Sequence, residues 1–318
     1  MRPGRSAFYR GLLGAGLADL VARGLARQVA EGLAWGEGPA YLADQDAWVF
    51  SDIPNDRMLR WSGAEGLSLF REPARHANGS TVAAGGALLT CEHGARRVTR
   101  TDRFGRYEIV CDRFEGRPFN SPNDVVVDAH GAIWFSDPTY GIVSDVEGHR
   151  ARSEQPFNGV YRLDPADGML SAQVTTLAMP NGLCFSPDGR VLYVADSGAD
   201  QGPEIAFDPD GPRDIHTFPI SGGLVAGPGR RLARVESGVP DGLRCDEAGF
   251  VWAATGAGLD CFAPDGRLLG RVATPEVLAN LSFGGLDGWS MLLTLATSAY
   301  LIEPSERPGR SPEMEANQ

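Results

Sequence analysis

The stretch MPNGLCFSPDGRVLYVAD, residues 179–196, holds the pattern that decides the fold. It contains an Asn-Gly pair at Asn181 followed by a short apolar run, then an Asp-Gly pair at Asp188 followed by a second apolar run. Two strand-length runs that are separated by an Asp-Gly turn are typical of a β-hairpin. The segment therefore predicts two antiparallel strands, with Asn181 at the start of the first.

The same pattern occurs six times along the chain, and each copy has a carboxylate or an amide at the position of Asn181. A second apolar run follows each copy, and a third comes after a variable loop. A repeat of roughly 40 to 60 residues is the range of propeller blades with about four strands each. We therefore expect an all-β protein, a six-bladed β-propeller. The six repeated positions are Glu37, Asn78, Asn123, Asn181, Asp241 and Asn280.

These six side chains, called the ring residues below, predict a metal site at one mouth of the central channel. The first strand of every propeller blade lines the channel, so the residues at its start converge. Two carboxylates and two amides can coordinate one divalent cation. Oxygen ligation favours calcium first, with magnesium, manganese and zinc as alternatives. The predicted ligands are Glu37, Asn123, Asn181 and Asp241, and we expect Asn78 and Asn280 behind them.

Asx-Gly pairs are also common turn dipeptides, which is the alternative interpretation of this pattern. Some pairs stand where a hairpin must reverse, whereas Asn181 and Asp241 follow prolines and enter an inner strand. The two groups are thus expected to differ in structure. The predicted turns are Asp167-Gly168, Asp188-Gly189, Asp265-Gly266 and Asp287-Gly288.

Composition and charge exclude several classes of function. The net charge is −12 and the isoelectric point is about 4.9, so phosphate backbones are repelled and no nucleic-acid partner is expected. All 29 basic residues are arginine, which excludes a Walker phosphate loop, a Schiff-base lysine and a Ser-Lys dyad. Neither GxSxG nor HExxH occurs. Five widely spaced cysteines without a CxxC pair predict free thiols in a reducing, cytoplasmic compartment.

The domain organisation is predicted as one propeller, residues 25–305, with an N-terminal extension, residues 1–24, and a flexible C-terminal tail, residues 306–318. No segment is long and apolar enough for a transmembrane helix, so no membrane partner is expected. The last blade has too few residues after Tyr300 for an outer strand. We therefore expect the segment from Arg27 to Leu33 to complete this blade. The protein is expected to be a monomer or a small homo-oligomer.

Several long motifs occur in a recognisable order, namely EGPAYL, CEHGARRVTR, SPNDVVVDAHGAIWFSDPTYG, PNGLCFSPDGRVLYVADSG and PDGLRCDEAGFVWAAT. With them the chain resembles the senescence marker protein, gluconolactonase and luciferin-regenerating enzyme family of six-bladed propellers, from about Trp35 to Pro304. The resemblance implies a metal-dependent hydrolase of small sugar lactones in carbohydrate metabolism. It also implies that the ligands are those predicted above, although Asn123 matches a position that contacts substrate in some relatives. The loop after SDPTYG resembles one that roofs the family's site.

The chemistry expected at such a site is attack of water on a carbonyl that the cation polarises. Asp241 is the predicted catalytic base, since it is a ring acid with a shorter reach than Glu37; a hydroxide held by the ion is the alternative nucleophile. Two other functions stay open: a phosphotriesterase or promiscuous ester hydrolase on the same site, and a non-enzymatic calcium-binding scaffold. The predicted substrate contacts are Asn123, His76, His93, Arg96 and Arg152.

Overall fold

The computed structural model of the protein describes residues 4–286 and 288–304. Within these residues the chain forms six antiparallel sheets and one separate two-stranded hairpin. The innermost strands of successive sheets contact one another in chain order, and the last contacts the first. The sheets are therefore the blades of a closed six-bladed β-propeller, as the repeat predicts.

The elements before the first blade are α1 (Arg5–Arg10), α2 (Leu17–Ala22) and β1 (Ala26–Glu31). Blades 1 to 3, with a hairpin before blade 3 and a short helix within it, comprise β2 (Gly36–Leu42), β3 (Ala47–Asp52), β4 (Arg57–Ser62), β5 (Gly66–Arg71), β6 (Ala77–Val82), β7 (Leu88–Glu92), β8 (Arg97–Thr101), β9 (Tyr107–Cys111), β10 (Arg113–Phe114), β11 (Arg117–Pro118), β12 (Val125–Val127), β13 (Ile133–Asp137), α3 (Tyr140–Val143), β14 (Gly159–Leu163) and β15 (Leu170–Val174). Blades 4 to 6 comprise β16 (Pro180–Phe185), β17 (Val191–Asp196), β18 (Asp214–Ser221), β19 (Leu224–Val225), β20 (Arg230–Arg234), β21 (Leu243–Cys245), β22 (Val251–Thr255), β23 (Gly258–Phe262), β24 (Leu268–Ala273), β25 (Leu278–Gly284), β26 (Ser290–Leu295) and β27 (Ser298–Ile302).

The second strand of each blade explains why the sequence shows continuous apolar runs instead of alternation. Strands β3, β13 and β22 are buried along their whole length, because a neighbouring blade covers each face. A strand that is covered on both faces needs apolar side chains at successive positions. The outermost strands β5 and β9, which have a neighbour on fewer sides, are partly exposed. The core therefore lies between the blades.

An aspartate at the end of the second strand fixes the segment that enters the inner strand in three blades. Asp52 Oδ1 accepts the backbone N–H of Ala34 at 2.8 Å, and Asp196 Oδ1 accepts that of Met179 at 2.9 Å. Asp137 Oδ2 does the same for Asn120 at 2.8 Å. Each bonded N–H lies two or three residues before a ring residue. These buried carboxylates thus hold the backbone from which the ring residues project.

The sixth blade is completed by a strand from the other end of the chain. β1 pairs antiparallel with β27, with Ala26 opposite Ile302 and Glu31 opposite Ser298. This pairing confirms the closure that the short last blade predicts. It joins the two ends of the ring without a covalent bond.

The segment before β1 packs against blades 5 and 6. Tyr9 of α1 stacks on Phe283 with ring centroids 4.9 Å apart, and Ser6 Oγ donates to Asp246 Oδ2 at 2.8 Å. Leu17 and Leu20 of α2 lie in the same buried cluster. None of the helices in the described part of the chain is long and apolar enough to cross a membrane. The predicted tail, residues 306–318, lies outside the described residues.

Candidate active site

The ring residues converge at one mouth of the channel. A cavity of about 420 Å³ is lined by five of them, and the sixth, Asn280, lies behind Glu37, where its Nδ2 donates to Glu37 Oε2 at 2.8 Å. Inner strands from all six blades therefore contribute to one site. The five that line the cavity are Glu37, Asn78, Asn123, Asn181 and Asp241.

Local irregularities in the inner strands aim these side chains. The pairing of β16 with β17 shifts register between Pro180 and Leu183, which brackets Asn181. The pairing of β6 with β7 shifts between Ala77 and Ser80, which brackets Asn78. Such bulges re-aim side chains and are frequent beside active sites.

The glycine that follows a ring residue is required by close approach of the next blade. A Cβ on Gly182 would lie 2.2 Å from the backbone oxygen of Asp241, and one on Gly242 would lie 2.1 Å from Asn280 Oδ1. In contrast, Gly189 has a φ of +67° and open space around its missing Cβ, as a turn glycine should. The two groups of Asx-Gly pairs therefore differ as predicted. Gly168 and Gly266 also have positive φ, and of the fourth predicted turn, Asp287 lies outside the described residues.

The cavity concentrates negative charge. Burial, together with the charge of Asp124, raises the pKa of Glu37 to about 7. Burial and the nearby charge of Glu37 raise the pKa of Asp241 well above its usual range. Arg244 Nη1 pairs with Asp124 at 3.4 Å, and its charge lowers the pKa of Glu37 by less than burial raises it. No hydrogen bond from any described residue reaches the carboxylate of Asp241, which faces the cavity. A cation between Glu37 and Asp241 would relieve this repulsion.

His93 lies buried beside two of the ring residues. Its Nε2 is 3.1 Å from Asn78 Nδ2 and 3.4 Å from Asn123 Nδ2, and its Nδ1 is 3.2 Å from the backbone oxygen of Glu147. Burial lowers the pKa of His93 to about 3, so the imidazole is neutral. The residue therefore touches two ring amides instead of lining the cavity.

Three other predicted substrate contacts do not line the cavity. His76 precedes β6, where its Nδ1 lies 3.0 Å from the backbone oxygen of Ile53. Arg96 Nε donates to the backbone oxygen of Phe119 at 2.6 Å, and Arg152 is exposed on the loop after α3. His76 shows that nearness in sequence to a ring residue, here Asn78, does not by itself bring a side chain into the cavity.

Comparison with known proteins agrees with this geometry. A family model described as the SMP-30/Gluconolactonase/LRE-like region matches residues 35–297 of the chain. The chain belongs to the SMP-30/gluconolactonase/LRE-like family. The resemblance that the motifs indicate is thereby confirmed.

Relatives within this family carry names of lactonases. A gluconolactonase from Zymomonas mobilis is 33% identical over 285 residues, which cover 80% of this chain and 75% of the relative. The pentonolactonase XacC of Haloferax volcanii is 28% identical over 271 residues, which cover 82% of this chain and 81% of the relative. A solved structure of a gluconolactonase from Xanthomonas campestris shares 33% identity and a TM-score of 0.79, covering 87% of this chain and 89% of its own.

Two loops roof the site of this SMP-30/gluconolactonase/LRE-like protein and supply residues that the repeat does not reveal. The loop between β13 and β14 contributes Tyr140 and Glu147, and the loop between β17 and β18 contributes Asp200. Tyr140 Oη donates to the backbone oxygen of Asp200 at 3.0 Å, which ties the loops together. Burial, with the charges of Glu37 and Asp200, raises the pKa of Glu147 to about 8. In the sequence, only the unusual length of these two connections could have indicated that they contribute residues to the site.

The donor set of the cavity fits a hard cation. In residues 4–286 and 288–304 no group of three or more His, Cys, Asp or Glu side chains is spaced to hold a metal ion. An ion in this family member would therefore need amide oxygens beside the carboxylates of Glu37 and Asp241, and such mixed oxygen donors suit calcium or magnesium. Asn78 Oδ1 is buried without a hydrogen-bond partner among the described residues. An unpaired buried oxygen on a residue that lines the same cavity as two carboxylates is an arrangement that a bound cation would stabilise.

Proposed function

We propose that this protein is a lactonase that hydrolyses small sugar lactones at the channel mouth with the help of one divalent cation. The observation that carries the proposal is the convergence of two carboxylates with raised pKa values and several amides in one cavity. Membership of a family with gluconolactonase and pentonolactonase relatives supports the substrate class. Glu37, Asn181 and Asp241, with Asn123, would hold the cation, and calcium is the expected ion because all the donors are oxygens.

The residues that line the cavity are proposed to have different roles in the reaction. When bound, the cation would polarise the lactone carbonyl and stabilise the negative charge that develops on its oxygen. Asp241 is the proposed base, because its carboxylate faces the cavity and accepts no hydrogen bond from the described residues. Asn280 and the backbone N–H of Gly38 both donate to Glu37 Oε2, at 2.8 and 2.6 Å. These two hydrogen bonds leave Glu37 Oε1 as the oxygen that would bind the cation.

The bond changes balance without any further reactant. The oxygen of water bonds to the carbonyl carbon while Asp241 takes a proton, and the ring C–O bond then breaks. The proton returns to the departing ring oxygen, so that lactone and water give one hydroxy acid. Glu147 and Tyr140, both on the loop between β13 and β14, are the proposed contacts for sugar hydroxyls, together with Asn123.

An assay with a panel of aldonolactones and a pH indicator tests this proposal, since ring opening releases an acid. Activity should disappear after chelation and return when calcium chloride is added, and metal analysis should find a tightly held ion. Aryl esters and a phosphotriester in the same panel test the alternative substrates. If no lactone is opened faster than the background rate by the metal-loaded protein, the lactonase assignment is wrong; a tightly held ion in such an inactive protein would favour the binding scaffold.

A further inference from the structure

The buried imidazole of His93 contacts three polar groups and has no exposed surface. Nδ1 lies 3.2 Å from the backbone oxygen of Glu147, on the loop that roofs the cavity. Nε2 lies between the amide nitrogens of Asn78 and Asn123, at 3.1 and 3.4 Å. Both asparagines line the cavity. His93 thus connects the roofing loop to two ring residues.

The backbone oxygen of Glu147 decides where the imidazole carries its proton. A carbonyl oxygen can only accept, so Nδ1 must be the protonated nitrogen. Full burial disfavours the doubly protonated cation, so Nε2 keeps a lone pair. The reverse tautomer would place the lone pair of Nδ1 against the lone pairs of the Glu147 oxygen.

The tautomer in turn decides the orientation of both amides. A lone pair on Nε2 can only accept, so Asn78 and Asn123 must each present Nδ2 to it. Their Oδ1 atoms then point away from the imidazole. In this orientation Asn78 Oδ1 is buried and has no hydrogen-bond partner among the described residues. Rotation of either amide by 180° would exchange oxygen for NH₂ and remove an oxygen donor from the ring.

We infer that His93 is a positioning residue that presents the amide oxygens of Asn78 and Asn123 to the cation site, and that Asn78 is a further oxygen donor there. The inference rests on the proposed cation at the ring. Because the main chain of Glu147 sets the tautomer while its side chain lines the cavity, placement of the roofing loop is coupled to cation binding. Gly141 of the same loop reinforces the link, since a Cβ there would lie 2.5 Å from the Cβ of His93.

The tautomer itself can be measured on metal-free wild-type protein. Long-range ¹⁵N–¹H NMR distinguishes protonation at Nδ1 from protonation at Nε2, and the spectrum of His93→Gln assigns the signals. We expect Nδ1 to be protonated and Nε2 to be a hydrogen-bond acceptor. Protonation at Nε2 would overturn the inference. This measurement does not depend on catalysis or on a bound ion.

Cation affinity tests the consequence. In titration calorimetry with calcium chloride, His93→Leu should bind about 10–100-fold more weakly than wild type, the range for loss of a group that orients metal ligands. His93→Gln, whose amide oxygen can still accept, should recover part of that loss. His130→Leu, in an exposed turn, is the matched control and should bind as wild type does.

The outcomes separate the two proposals. Equal affinity in His93→Leu and wild type, or no recovery in His93→Gln, would contradict the positioning role. Urea unfolding in the presence of a chelator shows whether a variant has merely lost its fold; if both have, the NMR tautomer in wild type decides. Absence of calcium binding by wild type would overturn the proposed cation site, and with it the donor role of Asn78, while protonation at Nδ1 would still support the tautomer and the amide orientation.

Discussion

Replacement of Gly182 by alanine tests whether close approach of blades 4 and 5 builds the site. The added Cβ would lie 2.2 Å from the backbone oxygen of Asp241 and 2.7 Å from Gly242 Cα. Ordinary contacts between such atoms begin near 3.5 Å, so about 1 Å of movement is needed. Overpacking of this kind costs roughly 1–3 kcal/mol, and two backbones that cannot rotate away favour the upper end.

The movement would displace the proposed base, because the new methyl group would clash with the backbone oxygen of Asp241. A displacement of about 1 Å in a catalytic group can cost about 10²-fold in rate. We therefore expect Gly182→Ala to lose about 3 kcal/mol of unfolding free energy and about a hundredfold of lactone turnover. Urea unfolding and the pH-indicator assay at saturating calcium measure these effects.

Gly189→Ala, in a turn of the same blade, is the matched control. Its positive φ makes alanine cost roughly 1–2 kcal/mol, but the open space around it predicts no change in turnover. The two variants differ in two respects: only Gly182→Ala places the new methyl group against a neighbouring blade, and only Gly189→Ala places alanine at a positive φ. Wild-type turnover in Gly182→Ala would refute the idea that this glycine positions Asp241.

Three further predictions concern catalysis, closure and pH. Asp241→Asn should lower turnover by roughly 10²–10⁴-fold at saturating calcium, whereas Asp188→Asn in an exposed turn should not; near-wild-type turnover in the first would exclude Asp241 as the base. Deletion of residues 1–34 removes β1 and both N-terminal helices, so the thermal midpoint should fall sharply, and an unchanged midpoint would contradict the closure. Burial raises the pKa of Asp137 to about 7, above its value in the unfolded chain. Its contribution to stability is therefore lost as pH rises from about 4 to about 7. Asp137→Asn should flatten the fall in unfolding free energy over that range, and a slope equal to wild type would show that Asp137 does not cause the fall.

The sequence predicts the parts of the molecule that repeat. The number of blades follows from a pattern that recurs six times. The positions of the ring residues follow as well, because the start of every inner strand in a propeller lies at the same mouth of the channel. The closure by β1 follows from counting strands in the last blade. Asn181 and Asp188 were distinguishable because each Asx-Gly pair stands in a different register relative to the apolar runs.

The parts that do not repeat could not be placed in the same way. Glu147 and Asp200 lie on long connections whose path depends on tertiary contacts that no period encodes. His93 was singled out for its motif, but its contacts with two ring amides and with the backbone oxygen of Glu147, a residue far along the chain, follow from the tertiary structure. Arg96 was also suggested by its motif as a substrate contact, but its Nε donates to the backbone oxygen of Phe119 and its side chain does not line the cavity.

The pairing of β1 with β27 has a consequence for how the protein is made. β1 leaves the ribosome before any blade exists, and its partner is among the last strands to emerge. Each earlier blade can form from contiguous chain, but together they make an open arc until β27 arrives, and bringing the two strands together has to overcome the entropy of closing a loop of nearly the whole chain. The ring of a folded molecule can also open at this seam when β1 separates from β27, since hydrogen bonds and packing, and no peptide bond, join the two strands.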